Sequence, residues 1–214
     1  MDGFYNKDGK VIVESLITVI QKNKAYLSDI DGLIGDGDHG INMNKGFTIC
    51  EKRLKDKDVG FSESLQMLGR ILLMEIGGSM GPLYGTFFTK MAKFSKDEEV
   101  IDKNIFANML EKATDGVADL GNAKMGDKTL VDVLVPALAA FKQSLENGQD
   151  FCNCLHNMNA AAKTGWLSTK DLVAKIGRAS RLGERSRGVE DAGATSCYLL
   201  LESMKVTITS MLVT

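Results

Sequence analysis

Asp31-Gly32-Leu33-Ile34-Gly35-Asp36-Gly37-Asp38-His39-Gly40 is the stretch on which the reading of this chain turns. Asp31, Asp36 and Asp38 fall within one short segment, interleaved with Gly32, Gly35, Gly37 and Gly40. Carboxylates this close repel, and keeping all of them ionised is costly unless a cation sits among them. On a regular helix, at about 100° per residue, Asp31 and Asp38 share a face and Asp36 does not. The glycines free the backbone to curl so that all three side chains converge. Oxygen donors with no thiolate and at most one imidazole suit Mg²⁺ or Ca²⁺ rather than zinc. Gly-Asp runs also form ordinary surface turns. Asp31, Asp38 and His39 around the central Gly-Asp-Gly tip the balance towards a site. Gly35-x-Gly37-x-x-Gly40 fits a dinucleotide fingerprint, but that motif needs a preceding strand and here a helical pattern precedes it. The alternate ligands and the twelfth-position Glu of an EF-hand are absent.

Outward from this stretch the chain reads as helices separated by glycine-rich loops. Ile12, Leu16, Val19 and Leu27 predict a helix from about residue 10 to 27, and a second follows from about 41 to 55. Ser62 is the expected N-cap of a helix carrying Leu65, Leu68, Leu72 and Ile76. Gly77-Gly78-Ser79-Met80-Gly81-Pro82 then describes an exposed helix N-terminus, which suits phosphate, or a helix–helix turn capped by Ser79. Phe106, Met109, Leu110, Ala113, Val117 and Leu120 form an amphipathic stripe. Gly121 to Thr129 narrowly misses the P-loop pattern, because Asp127 stands where lysine belongs. It is read as a loop feeding a helix, capped by Asp127 or Thr129. The helix from about 130 to 145 is apolar nearly all round between Val133 and Phe141, and is expected to be the central buried one; Asp132 in its first turn either meets the helix dipole or a partner or, the favoured reading, is a solvated acid. Phe151, Leu155, Met158, Ala162 and Trp166 continue the pattern, and His156 is read as surface or packed. Residues 170 to 190 form a basic glycine-rich loop containing Arg178, whose charge complements an anion held near the acidic stretch. Asp191-Ala192-Gly193 opens the last helix, with Cys197, Leu201, Met204, Ile208 and Met211 on its core face.

This gives about eight helices and no alternating strand: an all-α, single-domain barrel of antiparallel neighbours spanning residues 1–214. The four glycine-rich loops fall at alternate junctions, so they should meet at one end. A net charge of −2 over 214 residues gives no electrostatic case for nucleic acid or an anionic membrane. The N-terminal residues Met1 to Asn6 show no leader, and no apolar run reaches membrane-spanning length. Four cysteines without C-x-x-C spacing read as buried thiols in a reducing cytoplasm. Carboxylates, Mg²⁺, helix N-termini and arginine together suit a polyphosphate, and a nucleotide is the economical ligand.

Four motifs, in order, resemble the nucleotide-binding L subunit of bacterial dihydroxyacetone kinases. They are Asp31 with Gly35-Asp36-Gly37-Asp38-His39-Gly40-x-Asn42-Met43, Gly77-Gly78-Ser79 with Gly81-Pro82-Leu83-Tyr84-Gly85, Gly126-Asp127-Lys128-Thr129, and Gly177-Arg178-Ala179-Ser180 with Leu182-Gly183-Glu184-Arg185-Ser186. The resemblance implies a barrel of eight antiparallel helices with ADP or ATP at one end. It implies two Mg²⁺ ions held by Asp31, Asp36 and Asp38. It places His39, Asn42 and Ser79 against the phosphates, with Gly40, Ile41, Gly78, Met80, Gly121, Thr129, Leu130, Arg178, Asp191 and Gly193 in the rest of the nucleotide site. It further implies that dihydroxyacetone is held on a separate K subunit, and that ADP stays bound and is rephosphorylated in place by a phosphohistidine-bearing M subunit. Met80 stands where the family often has a second serine, and Ala192 replaces the proline of its Asp-Pro-Gly. The rival readings are an L-type kinase subunit serving another acceptor and a nucleotide-sensing module that controls a transcriptional regulator without turnover.

Overall fold

A computed structural model describes residues 3–212, so Met1 and Asp2, at the head of the stretch read as lacking a leader, lie outside the described residues. The helices are α1 (Lys10–Lys22), α2 (Lys24–Ile34), α3 (His39–Leu54), α4 (Phe61–Glu75), α5 (Met80–Lys93), α6 (Lys103–Gly121), α7 (Val131–Glu146), α8 (Phe151–Ser168) and α9 (Ala192–Leu212). Eight of them close a ring: α1 packs on α3, α3 on α4, and so on in chain order to α9, which returns to α1. The remaining helix, α2, lies against α3 and α9. The predicted stripes face inward. Leu65, Leu68 and Leu72 of α4, Phe106, Met109 and Leu110 of α6, and Leu201, Met204 and Ile208 of α9 are all buried. Phe106, Phe141 and Phe151 bring α6, α7 and α8 together, with ring centroids 5.3 to 6.1 Å apart.

Several local expectations are corrected. The first predicted helix breaks at Asn23, whose side-chain amide donates to the Val19 carbonyl at 2.8 Å and competes with the backbone ladder there. The chain restarts as α2 and stays helical to Ile34, so Asp31 sits on a helix and the loop proper is only four residues, 35–38. Ser62 is not the cap of α4. Gly60 is, and Ser62, the second residue of α4, is buried and bonded to Asn6 and Ser95. Two short strands, β1 (Gly3–Tyr5) and β2 (Val100–Asp102), pair antiparallel with Phe4 opposite Ile101. α7 is not buried all round, since Ala139 on it is exposed; α9 contacts α1, α2, α7 and α8. Part of the 170–190 loop is 3₁₀-helical, from Arg178 to Ser186, interrupted at Gly183.

The two ends of the barrel are built differently. At one end the Asn6 side-chain amide donates to the Ser95 and Glu98 carbonyls, each at 2.8 Å, while its oxygen accepts from the Ser62 N–H at 3.0 Å, tying this residue to two junctions. The other end gathers the glycine-rich loops. Between them α7 and α8 approach closely. Pro136 has no N–H, so the Asp132 carbonyl one turn earlier loses its helical donor. Gly165 on α8 packs against that carbonyl, and a Cβ there would collide with it. Gly165→Ala therefore forces the two helices apart. We expect it to destabilise the fold by about 1–3 kcal/mol, read as a fall in melting temperature with unchanged helical content.

Candidate functional site

The four glycine-rich loops meet around a cleft of about 480 Å³. Of the predicted residues, Asp31, Asp36, Asp38, His39, Asn42, Gly78, Ser79, Met80, Gly121, Thr129, Leu130, Arg178, Asp191 and Gly193 line it. Gly40 and Ile41 do not. Gly40 is buried where a Cβ would strike the Lys24 carbonyl and Ser28, so it serves the close approach of α3 to α2, and the Ile41 side chain is exposed. A larger groove of about 630 Å³ runs beside α4. Its charges are partly spent locally: Arg53 pairs with Glu75 at 2.7 Å and Glu63 accepts from the Gly60 N–H at 3.3 Å.

Asp31, Asp36 and Asp38 each bring a carboxylate oxygen within 4.8 Å of the other two. The loop geometry does this. Gly35 N–H donates to the Asp31 carbonyl at 2.6 Å, a Cβ on Gly35 would run into the Asp31 carboxylate, and Gly37 takes φ 74°. Asp31 Oδ2 also accepts from the His39 N–H at 3.3 Å. Three hard oxygens this close, on a rigid turn, fit a hard divalent cation. In this structure Arg178 supplies the positive charge, with its guanidinium 2.6 Å from Asp36 Oδ2. That pair is largely exposed, so it contributes at most about 1 kcal/mol to stability.

Opposite the carboxylates stands the start of α5. Ser79 is its N-cap without a side-chain cap bond, and Gly78 takes φ 75°. The first N–H groups of a helix have no partner within it, and they favour anions. Met80 is buried in the core and also borders the cleft. His39 Nε2 lies 2.9 Å from Ser196 Oγ, which in turn is 2.6 Å from the Tyr84 hydroxyl, and Tyr84 donates to the Gly193 carbonyl at 3.0 Å. Burial pushes the His39 imidazole down to about 4, against the opposing pull of Asp38, so it is neutral at pH 7. Asp191 caps α9 by accepting the Ala194 N–H at 2.7 Å. Burial pushes its carboxyl up to about 6, opposed by that bond and by Lys128.

Four further residues take roles that the sequence reading did not assign them, although it named Tyr84, Asp132 and Lys128. Ser196 on α9 holds His39, and Tyr84 on α5 backs Ser196. Asp132 is buried rather than solvated, and accepts the Gly126 N–H at 2.5 Å and the Thr129 N–H at 2.8 Å. Lys128 is buried at the cleft wall. A charged pair inside an otherwise apolar helix entry, Asp127-Lys128 before Thr129-Leu130-Val131, was the available signal. The N-cap of α7 is Leu130, not Asp127 or Thr129 as expected, although the Thr129 hydroxyl accepts the Val131 N–H at 3.1 Å.

The buried pair of titrating groups sets opposite pH slopes. His39, depressed from 6.5 to about 4, contributes stability above pH 6.5 that is lost as the pH falls towards 4. Asp191, raised from 3.8 to about 6, contributes stability below pH 3.8 that is lost as the pH rises through 6. In metal-free protein the melting-temperature difference between Asp191→Asn and wild type should therefore be more favourable at pH 7.5 than at pH 4.5. For His39→Gln the order reverses. Parallel curves for all three proteins would contradict both assignments.

Residues 33–206 match the family described as the DAK2 domain. The chain is 38% identical over 189 residues to the ADP-binding subunit DhaL of a PEP-dependent dihydroxyacetone kinase from Escherichia coli, covering 87% of this chain and 89% of that one. It is 39% identical over 186 residues to the corresponding subunit of dihydroxyacetone kinase 1 from Listeria innocua, covering 86% and 88%. Among solved structures, the dihydroxyacetone kinase of C. freundii superposes with a TM-score of 0.72 at 21% identity in its native form. Its complex with AMP-PNP and Mg²⁺ gives 0.67. These cover 95% and 92% of this chain but only 35% and 33% of the kinase, so the chain spans about a third of that longer protein. Among the described residues no helix is long and apolar enough to cross a membrane.

Proposed function

The chain belongs to the DAK2 domain family, and from that membership we propose that it is the ADP-binding subunit of a dihydroxyacetone kinase. The observation that carries this reading is the convergence of Asp31, Asp36 and Asp38 within 4.8 Å at a cleft that also receives the start of α5. On this reading the whole chain is one nucleotide-binding domain working in the cytoplasm. It receives a phosphoryl group from a phosphohistidine-bearing M subunit and delivers it to dihydroxyacetone on a K subunit.

Each cleft residue has a task that its chemistry supports. Asp31, Asp36 and Asp38 would hold Mg²⁺, two ions on this reading. Bound Mg²⁺ neutralises phosphate charge and stabilises the charge on the transferring group. The free N–H groups at the start of α5 receive anionic oxygens, with Gly78 allowing close approach. His39, neutral and held by Ser196, adds no charge beside the carboxylates and orients a polar edge towards the cleft. Asn42 stands one helical turn from Asp38 and lines the same wall. Arg178 neutralises Asp36 here and is free to turn its charge to phosphate once a cation takes that carboxylate. Leu120 and Met125, both more than half exposed near the mouth, offer apolar area to a docking partner.

The test is transfer to dihydroxyacetone on a K subunit, with phosphoenolpyruvate charging the M subunit. Wild type should turn over with ADP that never leaves. Asp36→Ala should lose nucleotide retention and transfer while keeping its helical circular dichroism. Arg178→Ala should slow transfer more than tenfold, the loss of a charge-assisted bond, with little change in melting temperature. Full transfer by Asp36→Ala, or transfer only to a different acceptor, would overturn the reading.

A further inference from the structure

Lys128 is an unusual residue to find where it is. It is 1% exposed and its φ is 63°, in the left-handed region that side chains other than glycine rarely adopt. Such strain persists only where the surroundings hold it, and it marks positions with a task. The strained backbone turns the side chain inward beneath the loop that carries Arg178. There the ammonium donates to the Thr169 carbonyl at 2.7 Å, the Leu172 carbonyl at 3.2 Å and the Val189 carbonyl at 2.6 Å. An ammonium has three N–H donors and no acceptor, so its capacity is spent in full. Two of these carbonyls precede the arginine-rich loop and the third follows it. One side chain thus closes the base of a long excursion of the chain.

Neighbouring bonds reinforce the same closure. The Lys175 N–H donates to the Asp127 carbonyl at 3.2 Å, and Gly188 N–H donates to the Lys170 carbonyl at 2.8 Å. Above the base the buried Ser186 hydroxyl accepts the Ala174 N–H at 2.9 Å, and Arg187 donates to the Asp171 carbonyl. Gly177, Gly183 and Gly188 all take positive φ, and a Cβ at any of them would meet nothing within 4 Å. The contact of Arg178 with Asp36, at 2.6 Å, fixes the tip. Burial pulls the Lys128 ammonium below its ordinary pKa, opposed by the charges of Asp191, Glu190 and Asp171.

We propose that Lys128 is a positioning residue: it clips together the two stems of the Arg178 loop and so sets where Arg178 stands over the three carboxylates. Replacing the ammonium with an apolar group leaves three inward carbonyls without donors. The stems then separate, and the arginine loses its place at the mouth. This rests on the cleft being the nucleotide site, but the clip itself is a property of the loop.

The experiment uses full-length Lys128→Met, Lys128→Arg, Arg178→Gln and the Lys128→Met/Arg178→Gln double variant. Hydrogen exchange over residues 169–191 needs no nucleotide. Lys128→Met should keep the helical circular dichroism and lose amide protection in both stems. Lys128→Arg should fall between Lys128→Met and wild type, since a planar guanidinium cannot direct three donors at one cluster of carbonyls. Arg178→Gln should leave the stems protected. With Mg²⁺ and ADP, Lys128→Met and Arg178→Gln should each weaken binding about tenfold, and the double variant should be no weaker than the worse single one. Wild-type protection in Lys128→Met overturns the clip, and fully additive losses overturn the route through Arg178. Should Lys128→Met fail to fold, Lys128→Arg decides: wild-type protection there overturns the proposal. Absence of nucleotide binding by the wild type would refute the function proposed above, with the exchange result still deciding the clip.

Discussion

Three carboxylates within 4.8 Å of one another set the terms for this molecule. At such separations their mutual repulsion is strong wherever water is scarce. A fold that keeps all three must supply positive charge, and the surrounding architecture does so in several ways. Arg178 reaches across from the far loop, the start of α5 aims its unpaired N–H groups inward, and the lip stays open enough for water to screen the remainder. Asp191 and Asp132, deeper in the wall, cannot rely on water. Asp132 has both its oxygens occupied by backbone N–H groups, and Asp191 has a buried lysine close by.

The helical ring makes this arrangement affordable. Its apolar interior is continuous from Ile12 on α1 to Ile208 on α9, so the polar end is carried by a core it does not interrupt. The closed ring also explains where the loops fall. Consecutive helices alternate in direction around it, so every second junction comes to the same end. One set, tied by Asn6, is compact and structural. The other is built of glycines and charged residues and forms the cleft. Glycine at residues 35, 40 and 81 is required by the neighbours' backbones or carboxylates, not by loop flexibility, because any Cβ there would strike them.

Much of this was legible in the sequence. Amphipathic stripes such as Phe106 to Val117 announce their helices because burial repeats with the helical period. The acidic stretch announces its chemistry because charge repulsion leaves few alternatives. What escaped depends on partners distant in the chain. Strands of three residues show no alternation, so β1 and β2 left no pattern. The break at Asn23 is set by a side chain competing locally for one carbonyl, within an apolar stripe that continues on both sides. Asp132 looked solvated because its acceptors' donors come from a loop whose shape the sequence does not state. Lys128 resembles any surface lysine until the carbonyls of Thr169, Leu172 and Val189 are seen to converge on it. The expectation that α7 would be buried all round failed for a related reason: Ala139 faces solvent, and Val135 and Leu138 are only half-covered.

The measurement that bears most directly on the account is the nucleotide content of the purified chain before and after chelation. If the carboxylate cluster exists to hold a cation that in turn holds phosphate, ADP should co-purify stoichiometrically, leave when EDTA removes divalent ions, and return only when Mg²⁺ is restored. Nucleotide bound equally well without divalent ions, or none bound under any Mg²⁺ condition, would contradict it.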